Sequence, residues 1–213
     1  MSGIKKMIDE KQLIMLCSKK TCFIFDMDGT LIDLNANWGW LRKNLSELAL
    51  DRFGERVQFA TFSEGFRTIR DKYGLEYLKD FHAIMEKEEN RSVIEDAAVC
   101  DNGMRIFDLV QKSRTYEKNP NSCVVILSNN FKSTIEMATR KFDIREKVDF
   151  YLGRDMVEET KPNAWGLQRI KETVPGVSKE EMVLFGNSDA DRGAAKSFGI
   201  DYIDVNELQM PRL

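Results

Sequence analysis

Phe23-Ile24-Phe25-Asp26-Met27-Asp28-Gly29-Thr30-Leu31 runs from an apolar segment into two carboxylates and then turns on a glycine. The aromatic and β-branched residues ahead of Asp26 suit a strand buried on both faces, so Cys22 to Asp26 is predicted as a core strand. Asp26 and Asp28 are two apart, which puts both side chains on the same side of an extended chain and aims them at one point. Gly29 supplies a backbone conformation that residues with a Cβ resist, and Thr30 adds a hydroxyl close by. Asp and Gly end many ordinary strands because they favour turns. Two carboxylates at the mouth of a buried strand, however, call for a cation or a reaction to balance them.

Three further signals follow along the chain. Val124-Val125-Ile126-Leu127 leads into Ser128-Asn129-Asn130, an apolar strand ending on a hydroxyl. Lys161-Pro162 reads as a lysine at the start of a helix, with Pro tolerated in the first turn. Met182-Val183-Leu184-Phe185 leads into Gly186-Asn187-Ser188-Asp189-Ala190-Asp191, followed by a helix rich in small residues that closes on Gly199. None of the three is specific alone, but their order is. Together with the first stretch they resemble the four motifs of the haloacid dehalogenase-like hydrolase superfamily, most of whose members are phosphatases. One position departs from the pattern, because Asn187 stands where the family usually has the first acid of its last motif.

The resemblance implies a role for each matched residue. Asp26 would be the nucleophile and Asp28 the general acid and base, with Thr30 positioning Asp28. Ser128, Asn129 with neighbouring backbone amides, and Lys161 would hold the phosphoryl group, Lys161 also pairing with Asp26. Magnesium would be the cofactor, bound by Asp26, by the carbonyl of Asp28 and at the position of Asn187. Asp191, or Asp189, would compensate there for the missing acid, directly or through water. An amide oxygen carries no full charge, so the resemblance also implies weaker magnesium binding than a complete set of acids would give.

Composition bounds the alternatives. At 213 residues the chain is long enough for one medium domain with a sizeable insertion. Its net charge of −3, with acids and bases interspersed, gives no basic stripe for a nucleic-acid backbone. No apolar run approaches the roughly 18 to 20 residues that span a bilayer, and Leu13 to Cys17 is too short for a secretory signal, so no membrane partner is expected. Cys17, Cys22, Cys100 and Cys123 lack metal-ligand spacing and read as reduced thiols of a cytoplasmic protein. The sole histidine, His82, lies in a helical apolar pattern. Its solitude removes multi-histidine zinc chemistry and any Ser-His-Asp triad not built on His82 itself.

The expected fold is α/β: a Rossmann-like parallel sheet with helices on both faces and an inserted all-helical cap. Core strands are predicted at Cys22 to Asp26, Cys123 to Ser128, Phe150 to Gly153, Met182 to Gly186 and Asp201 to Val205. Core helices are predicted at about Asn102 to Lys112, Lys132 to Phe142, Pro162 to Thr173 and Ala190 to Phe198. Every motif residue then falls at the carboxyl end of a strand, where open α/β sheets bind ligands. Residues 33–99 turn wholly helical, with candidate helices Trp38 to Phe53, Ser63 to Tyr73 and Leu75 to Glu89, and their placement resembles the cap of one large branch of the superfamily. The organisation expected is thus residues 1–20 as an N-terminal helix or arm (Ile4 to Leu16 being the helical part), 21–32 with 100–213 as the core, and 33–99 as the cap, with a loop from Arg114 to Ser122.

The function expected is magnesium-dependent hydrolysis of a small phosphorylated metabolite, as in phosphoglycolate phosphatase-like members. Three alternatives stand beside it. A phosphomutase uses the same residues. A dehalogenase lacks the second acid that Asp28 provides, which argues against that reading. A weakly catalytic binding protein, its metal site decayed, draws its support from Asn187.

Overall fold

The computed structural model describes residues 10–116 and 122–207. In chain order its helices and strands are α1 (Glu10–Cys17), β1 (Cys22–Phe25), β2 (Ile32–Asp33), α2 (Trp38–Phe53), α3 (Phe62–Tyr73), α4 (Leu78–Glu95), β3 (Ala98–Val99), α5 (Asp101–Tyr116), β4 (Cys123–Leu127), α6 (Lys132–Lys141), β5 (Phe150–Leu152), α7 (Trp165–Thr173), β6 (Met182–Gly186), α8 (Asp189–Phe198) and β7 (Asp201–Asp204). They form two compact units. One is an α/β unit of the described residues up to Asp33 and from Ala98 onward; the other is the helical unit Leu34–Ala97.

The α/β unit is built on a five-stranded sheet in the order β5-β4-β1-β6-β7, parallel throughout, with β1 at its centre. All four residues of β1 are buried, as its unbroken apolar run requires. Side chains alternate between two packed faces. On one, Cys22 and Ile24 join Val125, Leu127, Met182 and Leu184 beneath Leu167 and Ile170 of α7 and Ala194, Ala195 and Phe198 of α8. On the other, Phe25 stacks on Phe185 with centroids 4.6 Å apart and meets the edge of Phe107 of α5 at 5.4 Å. The doubly covered parallel sheet expected from the sequence is therefore what forms. Cys22 and Cys123 are direct register partners on adjacent strands, both buried free thiols.

Some elements differ from the sequence expectation. Pro162 does not open a helix: α7 begins at Trp165, and Lys161-Pro162, joined by a cis peptide bond, lies in the preceding turn. The side chain of Asn163, accepting from Trp165 N at 2.8 Å, marks the entry to the helix. Ile32–Asp33 and Ala98–Val99 pair antiparallel at the points where the chain leaves and re-enters the α/β unit, and two residues each are too few to show a strand period. Helix α5 extends to Tyr116, so of the loop expected over Arg114 to Ser122 the first residues are helical, and residues 117–121 lie outside those described. The expected N-terminal helix is seen as α1, and Ile4 to Asp9 also lie outside.

The helical unit has an aromatic core. Phe53 stacks on Tyr73 at 3.7 Å and on Phe81 at 6.1 Å; Phe66 meets Phe59 at 5.6 Å and the edge of His82 at 4.7 Å. Such pairs add roughly 0.5–1.5 kcal/mol each beyond burial, and they explain His82 as a packing residue. The last helix is longer than expected. It follows a 3-10 turn at Leu75–Tyr77 and continues past Glu89 to Glu95, because Ser92 and Val93 are buried and Arg91 pairs with Glu88, Glu95 and Asp96 along its surface. Among the described residues no helix is long and apolar enough to cross a membrane.

Candidate active site

The carboxyl ends of β1, β4 and β6 bring the motif residues together within the α/β unit. Asp26 extends the ladder, its N donating to Phe185 O at 2.9 Å, and the residue is 6% exposed. The chain then closes a tight loop in which Thr30, Leu31 and Ile32 all donate to the Met27 carbonyl. Gly29 has φ +76°, and a Cβ there would stand 2.3 Å from the Asn187 amide nitrogen, so both its conformation and its missing side chain are required. Gly103 allows a second close approach: a Cβ would sit 1.7 Å from the Thr30 carbonyl oxygen, and only glycine lets the start of α5 seat against this loop.

Lys161 is the hub of the cluster. Its Nζ donates to Asp26 Oδ1 at 2.7 Å, to Asp191 Oδ1 at 2.5 Å and to Leu127 O at 2.7 Å, which uses all three of its N–H groups. Burial works against its charge, but Asp191 and Asp26 outweigh that and raise its pKa above the ordinary lysine value. The pKa of Asp26 is raised as well: burial first, then the charge of Asp191, push it up to about 6 against the pull of Lys161. Nearby, burial and the charges of Asp33, Asp28 and Asp26 push the Cys100 thiol up to about 11. The site is thus a concentration of negative charge held by one fixed cation.

Several side chains also make bonds that their expected roles did not include. The Thr30 hydroxyl lies 3.1 Å from Asp26 Oδ2 and 3.2 Å from Asn187 Oδ1, so it bridges the nucleophile position and the substituted position. Both oxygens of Asp191 are occupied. One binds Lys161, and the other accepts from Asn187 N, Ser188 N and Ser188 Oγ as the acid of the capping box that starts α8. Asp191 is therefore the counter-ion and anchor of Lys161, a role beside the ligand role expected of it. The Asn129 amide is also committed, accepting from Lys161 N at 3.0 Å and donating to Lys161 O at 2.9 Å. Its side chain thus clamps the lysine backbone. Ser128 Oγ donates to Asn130 Oδ1 at 2.7 Å in a local turn. Asp28 is half-buried.

Arg154 was not flagged by the sequence. It is 7% exposed, lies two residues past the end of β5, and its Nε donates to the Asn129 carbonyl at 2.9 Å. A Gly-Arg pair placed where an apolar strand leaves the sheet was the available signal.

Among the described residues no three His, Cys, Asp or Glu side chains gather as a metal site. The donor set still suits a hard divalent cation. Asp26 Oδ2 and Asn187 Oδ1 are both within 3.2 Å of the same hydroxyl, the Asp28 carbonyl belongs to the same loop, and burial together with the charge of Asp191 raises Asp26.

A family model for haloacid dehalogenase-like hydrolases matches residues 20–199. The chain belongs to that family. The hydrolase resembles solved structures along most of its length. One is described as a haloacid dehalogenase-like hydrolase from Bacteroides fragilis (19% identity, TM-score 0.63, 90% of each chain). Another is described as a phosphoglycolate phosphatase from Haemophilus somnus (15% identity, TM-score 0.60, covering 87% of this chain and 85% of that one). A third is described as a β-phosphoglucomutase from Thermotoga maritima (20% identity, TM-score 0.54, covering 84% and 82%). At these identities the likeness is one of fold. No curated protein matches the sequence.

Proposed function

We propose that this hydrolase cleaves a small soluble phosphomonoester in the cytoplasm through a phosphorylated Asp26. The observation that carries the reading is the buried Asp26 carboxylate at the end of the central strand, held at one oxygen by Lys161 and at the other by Thr30. A fixed carboxylate of this kind is oriented for attack, whereas one that only ended a strand would be solvated.

Asp26 attacks phosphorus, and the bond from phosphorus to the leaving oxygen breaks as Asp28, half-buried and two residues on, delivers a proton to that oxygen. Asp28 then takes a proton from water, which attacks the aspartyl-phosphate, releases inorganic phosphate and restores Asp26. Ser128 and the backbone N–H of Asn129 hold phosphoryl oxygens, and Lys161 keeps Asp26 ionised and in place. Asp26, the Asp28 carbonyl and Asn187 Oδ1 are the groups that would hold magnesium. When bound, the ion supplies positive charge that offsets the carboxylates and the transferring group. Kinship with proteins described as phosphoglycolate phosphatases supports phosphomonoester chemistry.

Hydrolysis of an aryl phosphate in the presence of magnesium tests the proposal. Turnover by the wild type and its absence in Asp26→Asn are expected, and turnover that survives the substitution overturns it. Asn187 favours a second reading, a binding protein with a weakened metal site. Failure across a broad panel of phosphorylated metabolites, with phosphate still bound, would select it.

A further inference from the structure

Two loops at the carboxyl end of the sheet are stitched together by bonds that no catalytic role explains. Leaving β5, Gly153 packs so closely on the β4 loop that a Cβ would stand 2.9 Å from both Asn130 O and Lys132 N. Arg154 N donates to Asn130 O at 2.8 Å, Arg154 Nε to Asn129 O at 2.9 Å, and Asp155 Oδ1 accepts from Lys132 N at 2.8 Å. The guanidinium lies 6.0 Å from the centre of the Phe131 ring. One bond in this set matters differently from the others. Asn129, whose carbonyl Arg154 holds, is the residue whose amide grips both backbone polar groups of Lys161, and Lys161 in turn fixes Asp26 and Asp191.

We infer that Arg154 is a positioning residue for the reaction: through the Asn129 carbonyl it sets the Asn129 clamp, and the clamp sets the Lys161 ammonium against Asp26. The geometry supports this over a role in folding alone. A buried guanidinium is expensive to desolvate, and a lysine, with one flexible donor group, could not present the same fixed planar edge to a carbonyl. The chain of bonds runs from Arg154 to the nucleophile through Asn129. The Asp155 bond in the same turn lies outside it, since Lys132 contributes nothing to the Lys161 clamp.

This inference rests on the phosphatase reading above, and the experiment separates the two. Turnover of an aryl phosphate is compared in the wild type, Asp26→Asn, Arg154→Leu, Asn129→Ala, the Arg154→Leu/Asn129→Ala double variant and Asp155→Ala, with Tm recorded for each. Arg154→Leu is expected to lower kcat about tenfold to a hundredfold, the scale of an ångström-level misplacement of a reacting group. In the Asn129→Ala background the same change should lower kcat no further, because the clamp through which Arg154 acts is already gone. Asp155→Ala should lower Tm without that loss of kcat. If Arg154→Leu does not fold, Arg154→Lys keeps the charge and stem while losing the guanidinium edge, and the same cycle is run with it. Wild-type turnover in the Arg154 variant, or losses that add in the double variant, overturns the inference. Turnover that persists in Asp26→Asn overturns the phosphatase reading instead.

Discussion

Lys161 in the α/β unit gathers two carboxylates and Arg91 in the helical unit three, but the side chain of Lys161 is 3% exposed and that of Arg91 is 36% exposed. The partners of Lys161, Asp26 and Asp191, are buried with it. Those of Arg91 grade outward from Glu88 at 9% to Glu95 at 58%. Burying charge has a large desolvation penalty, whereas pairing it at the surface changes little in either direction. On the proposed function, the first arrangement is kept because its fixed charges act on a substrate. The second extends a helix beyond the point where its apolar pattern fades. The same residue types therefore form a buried cluster in one unit and a surface network in the other, and burial tells them apart.

The contrast can be broken most directly at its hub. Lys161→Met leaves Asp26 and Asp191 facing each other without their cation, and urea unfolding should show a loss of about 3–5 kcal/mol, the usual result of stranding one side of a buried pair. A loss below about 1 kcal/mol would mean that the cluster behaves like a surface pair after all. A smaller effect is expected at Asn187. Restoring the acid with Asn187→Asp adds a full negative charge to the donor set, and isothermal titration should show magnesium binding about tenfold tighter, equivalent to about 1.4 kcal/mol. Unchanged affinity would show that Asn187 is no ligand. The mildest change is Arg91→Ala. The Arg91 hydrogen bonds, with a further one from Asn37 N, hold Glu88 below the ordinary carboxylate pKa of 4.5 against the opposing effect of burial. A carboxylate with a lowered pKa stabilises the fold above its unfolded value, and that contribution is lost as pH falls through the folded value. The wild type should therefore be more stable than Arg91→Ala at neutral pH, and thermal melts should show the gap closing as the pH drops below 4.5. A gap that is constant with pH would remove Glu88 from the explanation.

Much of this was legible in the sequence because the deciding patterns are local. An apolar run followed by Asp26-Met27-Asp28-Gly29 states both a strand and where it ends, and the runs before Ser128 and Gly186 do the same. The order β5-β4-β1-β6-β7 then places the three ends side by side. Pairings that depend on distant partners were not legible. Asp191 could be read as a ligand from its motif but not as the acid that both caps α8 and holds Lys161, since that role needs Lys161 brought in from a separate loop. Asn129 could be read as a phosphate-holding residue beside a hydroxyl, but its clamp on Lys161 crosses more than thirty positions of chain. For Arg154 the Gly-Arg pair at the end of a strand was the sole local hint, and its bond to the Asn129 carbonyl depends on a separate loop. The extension of α4 was hidden because its last turns are mostly polar, and charge pairs leave no apolar stripe.

The short antiparallel pair Ile32–Asp33 with Ala98–Val99 bears on how the chain tolerates the long excursion Leu34–Ala97. With its two ends pinned side by side, the excursion is a closed loop as seen from the α/β unit. The entropy lost in closing such a loop grows only with the logarithm of its length, about 0.6 kcal/mol for each doubling. Lengthening, shortening or replacing everything between Asp33 and Ala98 therefore barely alters the closure entropy that the sheet must overcome. The ladder turns a large insertion into a thermodynamically small one, and that leaves the helical segment free to diverge while the strands carrying Asp26, Ser128 and Asn187 stay under their own, separate constraint.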